Sequence, residues 1–153
     1  MNHAKNIITA TGMILFFMLS TLALAPGVGV AQEARIIKIY GDFPSGKTAE
    51  TRVEPQETWV ARGTTVVWQN LSKNEIKIVF PKGKECQAAT GGRLLWKLDA
   101  RSCLITDFNI PYGGTTSALF NAIGRYDYEI EYVGQTAKEK GSIIVRTMPG
   151  SVY

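Results

Sequence analysis

The chain has 153 residues, with 17 Lys and Arg against 13 Asp and Glu and a formal net charge of +4. That length accommodates one ordinary domain, and so mild and dispersed a positive charge excludes nucleic acid as a partner. The single histidine, His3, falls in a segment with the character of an export leader. The domain proper therefore lacks the commonest metal ligand and the commonest general base, which argues against an enzyme.

In chain order, Lys5 precedes an apolar run over residues 13–25, followed by Pro26-Gly27 and small residues up to Ala31. Charge, length and small-residue chemistry predict a signal-peptide helix over 1–31, cleavage at Ala31/Gln32 and a mature domain over 32–153. The protein is then periplasmic or secreted, with no stable membrane span once the leader is cut. The alternative is an uncleaved anchor, since residues 7–25 are nearly long enough to cross a bilayer.

The β-branched run 34–40 predicts a first strand. Gly41-Asp-Phe-Pro-Ser-Gly-Lys-Thr48 has the spacing of a phosphate-binding loop. Such a loop must lead into a helix, and 49–55 is short and ends in Pro55, so a polar turn is expected instead. Strands follow over 57–61, 64–69 and 75–80, the second with Val66 and Trp68 on one face. Between the last two, Asn70-Leu71-Ser72 is a glycosylation sequon by pattern. Lys73, Lys77, Lys82 and Lys84 make the densest basic patch. Residues 81–102 do not alternate and are too long for a structureless connection, so a short helix or hairpin sits inside them or a disulfide braces them. Further strands are expected over 104–109, 115–120 and 141–145. Over 124–132, Tyr126, Tyr128, Ile130 and Tyr132 alternate with Asp127, Glu129 and Glu131, the clearest strand signal in the chain. The sum is an all-β fold of seven or eight strands.

Cys86 and Cys103 bracket the irregular segment. In an exported protein an even pair of cysteines predicts a disulfide, worth on the order of 3 kcal/mol for the loop it closes; a thiolate metal site is the alternative. In the same segment Leu94, Leu95 and Trp96, next to Lys82 and Lys84, form a candidate surface for a protein partner in the cell envelope. The competing reading is that Trp96 and its neighbours close the end of the sandwich.

Gly63-Thr-Thr-Val-Val-Trp-Gln-Asn70 with the strand after it, Gly124-x-Tyr126-x-Tyr128, and Gly141-x-Ile143-x-Val145 together resemble the cupredoxin family, of plastocyanin and azurin type. The resemblance implies a Greek-key β-sandwich and a copper site held by two His, a Cys and a Met. Here Ile76, Ile130 and Val133 stand where that pattern has His, Cys and His, and no Met lies between them and Gly141. Aliphatic side chains have no lone pair to give a metal, so the resemblance extends to the fold motif and not to the metal motif. The expectation is an exported cupredoxin-like module without cofactor, acting in binding or structure. The alternative is copper-linked electron transfer at an atypical site made from Cys86, Cys103 and Met148.

Overall fold

The computed structural model describes residues 33–45, 49–90 and 95–147, so the expected leader and its cleavage site lie outside the described residues. The chain runs β1 (Ala34–Asp42), β2 (Glu50–Glu54), β3 (Glu57–Ala61), β4 (Thr64–Asn70), β5 (Ile76–Phe80), α1 (Gly83–Ala89), β6 (Trp96–Leu98), β7 (Leu104–Thr106), β8 (Thr115–Phe120), β9 (Gly124–Tyr132) and β10 (Lys138–Arg146). One sheet has the order β2-β1-β4-β8 and the other β3-β10-β9-β5-β7-β6. Antiparallel pairing dominates, but β1 lies parallel to β4 and β10 parallel to β3. This is the two-sheet β-sandwich that the sequence predicts. Among the described residues no helix is long and apolar enough to cross a membrane.

The strand count is ten among the described residues, above the seven or eight expected. The two additions had weak signals. In β2 only Val53 is buried, and Glu50, Arg52 and Glu54 face solvent. In β6 only three residues pair, opposite Leu104 to Thr106. The turn between β9 and β10 is short, because Lys138 to Lys140 already pair with Glu129 to Glu131. Gly41 and Asp42, the start of the phosphate-loop pattern, close β1 as strand residues.

Alternation along each strand sends one face inward. In β4 every second residue, Thr64, Val66, Trp68 and Asn70, is buried, as a half-buried strand requires. Trp68 meets Phe80, Trp96 and Tyr128 of the opposite sheet edge-on, with ring centroids 5.7–5.9 Å apart. Tyr128, on β9, is seated over the backbone of Gly141 on β10, where any side chain would collide with its hydroxyl.

Residues 81–102 hold the short helix the sequence left open. α1 carries the chain from the end of β5 toward the four-stranded sheet. The Asn121 N–H donates to the Ala89 carbonyl at 2.8 Å, and Thr90 bridges to Phe120. Thr90 ends the helix, its hydroxyl and its N–H both donating to the Cys86 carbonyl. At the other end Gly83 lies directly on the backbone of Ser102, Cys103 and Leu104, with no room for a Cβ. Overpacking of this kind costs about 1–3 kcal/mol or more. Gly83→Ala should therefore lower the unfolding free energy measured in urea by an amount in that range, and the midpoint with it, while Lys84→Ala on the exposed face of the same turn should leave both nearly unchanged. Equal midpoints for the two variants would remove the close contact from the account of this helix.

Candidate functional site

The loops at the β5 start form one end of the sandwich, and Asn70 holds them together. Fully buried at the end of β4, it donates through Nδ2 to the carbonyls of Ile110, at 2.8 Å, and Asn74, at 2.9 Å; its Oδ1 accepts the Ser72 N–H at 2.8 Å. The backbone joins in, with the Gly113 N–H donating to the Asn70 carbonyl and the Asn70 N–H to the Gly114 carbonyl. One side chain thus satisfies groups of two different loops, in a place where unpaired polar groups would be costly. It also explains why the sequon is only a pattern: the Asn70 amide is committed and out of reach of solvent, and Ser72 is buried as well.

Ile76 and Ile130 are each 0% exposed. Ile76 opens β5 opposite Tyr132 and exchanges backbone hydrogen bonds with Ile110. Ile130 faces the core opposite Ile78. Val133 is different. It lies in the turn after β9, 40% exposed, tied by its N–H to the Glu75 carbonyl. The three are at one end of the fold, but only the two isoleucines extend the apolar core.

At the opposite end of β5 the expectations are corrected in two places. Cys86 and Cys103 are free thiols. Cys86 points from α1 into the apolar cluster, and burial pushes its thiol up from 9.0 to about 12. Cys103 is fixed elsewhere, in a tight turn in which the Asp99 carboxylate accepts the N–H groups of Arg101 and Cys103. Those bonds, the one from Cys103 first, hold the Asp99 carboxyl below its ordinary range. Cysteine count and compartment predict pairing, but here helix orientation puts one thiol among hydrocarbon and the turn holds the other away.

The candidate partner surface also comes apart. Leu94 lies outside the described residues. Trp96 is 6% exposed, packed edge-on against Trp68 and tilted against Phe80, with Nε1 donating to the Ser117 carbonyl. It closes the sandwich rather than presenting itself to a partner. Leu95 is partly exposed, and Lys82 and Lys84 are on the surface. Nor do the four lysines form one patch. Lys73 pairs with Asp42 before β5, Lys77 lies opposite Glu131, and Lys82, paired loosely with Glu85, follows β5, about 16 Å of strand away.

A feature the sequence reading missed is a cleft of about 570 Å³ on the six-stranded sheet, with walls from Gln56, Lys82, Glu85 and Arg125 and a floor at Ser142. Its charges are engaged with each other: Arg125 with Asp127 at 2.8 Å and Glu57 at 3.2 Å, and Lys140 with Glu129 at 3.6 Å. The alternation of 124–132 places Arg125, Asp127 and Glu129 on one face, and the pairing of β10 with β9 and of β3 with β10 brings Lys140 and Glu57 to them. Among the described residues no three of His, Cys, Asp and Glu converge as metal ligands would.

No protein-family model matches the chain, and no curated protein does. Among solved structures, it is similar to a reduced copper(I) form of an amicyanin variant at pH 4: 20% identity, 77% of this chain and 87% of that one, TM-score 0.47. An oxidised amicyanin variant gives 19% identity over the same shares, with a TM-score of 0.46. The fold above rests on the strand order and pairing in this chain.

Two tests follow. Asn70→Ala strips three side-chain hydrogen bonds and leaves buried groups unpaired, so it should cost about 3 kcal/mol in chemical denaturation; a loss of less than about 0.5 kcal/mol, the scale of a surface substitution, would mean that the loops hold without it. For the thiols, alkylation of the native protein at neutral pH should label Cys103 and spare Cys86 until unfolding. Folding favours the neutral Cys86 thiol, so its contribution to stability is complete below pH 9.0, the value of an ordinary thiol, and is lost as pH rises toward about 12. Tyr128 and Tyr132 act with the same sign, burial raising both above their ordinary 10.0. For Tyr128 the neighbouring Trp68 indole opposes part of that rise, although the two do not meet in good hydrogen-bond geometry. Stability flat between pH 8 and 11, the window around these ordinary values, would contradict the assignment.

Proposed function

We propose that the chain is an exported cupredoxin-like module that binds a partner or serves a structural role and has no type 1 copper site. The observation that carries this reading is the donor set. Ile76 and Ile130 are wholly buried aliphatic side chains, and Val133 is a third aliphatic one at the surface. A His₂Cys site needs two imidazoles and a thiolate, and the residues present do not fit it. Cys86 is no substitute, because its thiol is buried and protonated at neutral pH and lies beyond the other end of β5. With no histidine after His3 there is also no imidazole base, which favours binding over catalysis.

The test is to add Cu(II) to the untagged protein and record the visible spectrum and the metal retained after desalting. The expected result is no intense band near 600 nm, roughly where a Cu–thiolate centre of this geometry absorbs, and no retained copper. A strong band with about one copper per chain would put electron transfer at an atypical site in place of this reading. A site built from Cys103 and Met148 would then be the first to mutate, and Met148 lies outside the described residues.

A further inference from the structure

An open β-sheet has two edges, each a row of backbone donors and acceptors that can pair with another chain unless something blunts it. Three of the four edges in this sandwich are blunted. β2 is short and displays Glu50, Arg52 and Glu54. β6 is only three residues long. β8 is covered, with Trp96 on the Ser117 carbonyl and Thr90 and Ala89 against its end. The fourth edge, β3, displays Trp59, 45% exposed, with the Arg146 guanidinium stacked 3.5 Å from the ring centroid.

The pairing of β3 determines which of its groups are turned outward. It lies parallel to β10, and the Ser142 N–H to Gln56 carbonyl and Arg62 N–H to Arg146 carbonyl bonds mark the two ends of that ladder. In a parallel ladder one strand bonds through alternate residues, here the even-numbered ones. Glu57, Trp59 and Ala61 therefore direct N–H and C=O away from β10, and among the described residues no backbone bond to them is formed on that side.

We propose that β3 pairs antiparallel with β3 of a second copy of this chain, about a two-fold axis at Trp59, so that two six-stranded sheets become continuous. Charge complementarity selects this occupant. β3 has Glu57 at one end, where its carboxylate also pairs with Arg125 of the same copy at 3.2 Å and keeps its second oxygen for another cation, and at the other Ala61 lies in register with Arg146. A two-fold at Trp59 sets Glu57 of each copy opposite Ala61 of the other and hence beside its Arg146, giving two symmetric attractions, with the two Trp59 rings adjacent at the centre. Paired indoles backed by arginine suit an interface core, and a self-complementary patch is what a two-fold dimer needs. The proposal is independent of the copper question.

Sedimentation velocity over a concentration series should show a monomer–dimer equilibrium. Hydrogen exchange should slow at the Glu57, Trp59 and Ala61 amides as the dimer forms. Trp59→Lys should leave a monomer with the near-UV circular dichroism of the remaining core aromatics. Glu57→Arg or Arg146→Glu alone should weaken association about tenfold or more by placing like charges together. The double exchange, Glu57→Arg with Arg146→Glu, made in an Arg125→Ala background so that the new cation meets no like charge in its own copy, should restore most of it. A monomer up to about 1 mM, the affinity floor for a weak complex, would overturn the proposal, as would a dimer that leaves those three amides unprotected or a double exchange that restores nothing. If a variant fails to fold, the exchange pattern of the unaltered protein decides.

Discussion

The two sheets are joined through Trp68. It is fully buried on the inner face of β4, and three of its aromatic neighbours come from the opposite sheet, at centroid distances of 5.7–5.9 Å and interplanar angles of 65–83°. A fourth, Phe120, comes from β8 in its own sheet. Edge-to-face contacts of this kind add about 0.5–1.5 kcal/mol each beyond the area they bury. The same ring also fixes the irregular segment after α1, since Trp96 reaches it from β6. The long stretch between β5 and β7 is thus held by an apolar contact at one point and by the seating of α1 at another, and needs no covalent brace.

At the loop end the corresponding role belongs to a polar side chain. Asn70 ties the loop after β4 to the segment around Ile110, and Tyr132 adds a bond from its hydroxyl to the Tyr40 carbonyl at 2.7 Å. Neither interaction involves Ile76, Ile130 or Val133 as side chains. The loops are therefore positioned by groups distinct from those three side chains.

Much of this was legible in the sequence, and the failures have physical causes. β9 is found at its full length because both faces obey the alternation from Arg125 to Tyr132. β4 and β8 read correctly for the same reason. β2 and β6 do not, since too few of their side chains are buried to make a pattern, and their existence is decided by neighbours far away in the chain. Trp96 stays between two readings in the sequence: an aromatic residue in an irregular segment looks the same whether it faces a partner or the core, and only its contact with Trp68 tells which. The cysteines failed differently, because composition and compartment say nothing of the direction in which a seven-residue helix points. The cleft near Ser142 and the open edge at β3 had no local signature at all; both are products of strand order.

The seat of Tyr128 over Gly141 bears on how the hairpin of β9 and β10 avoids misalignment. Sliding one strand by two residues would keep every inward face inward and most backbone bonds intact, so hydrophobic pattern alone does not forbid it. The slide would, however, set Tyr128 across from Glu139 or Ile143 instead of Gly141. No other glycine lies on the inward face of β10, so the ring has one slot and the slipped alignments have none. Glycine here acts as a keyway, making a near-degenerate set of pairings into a single one.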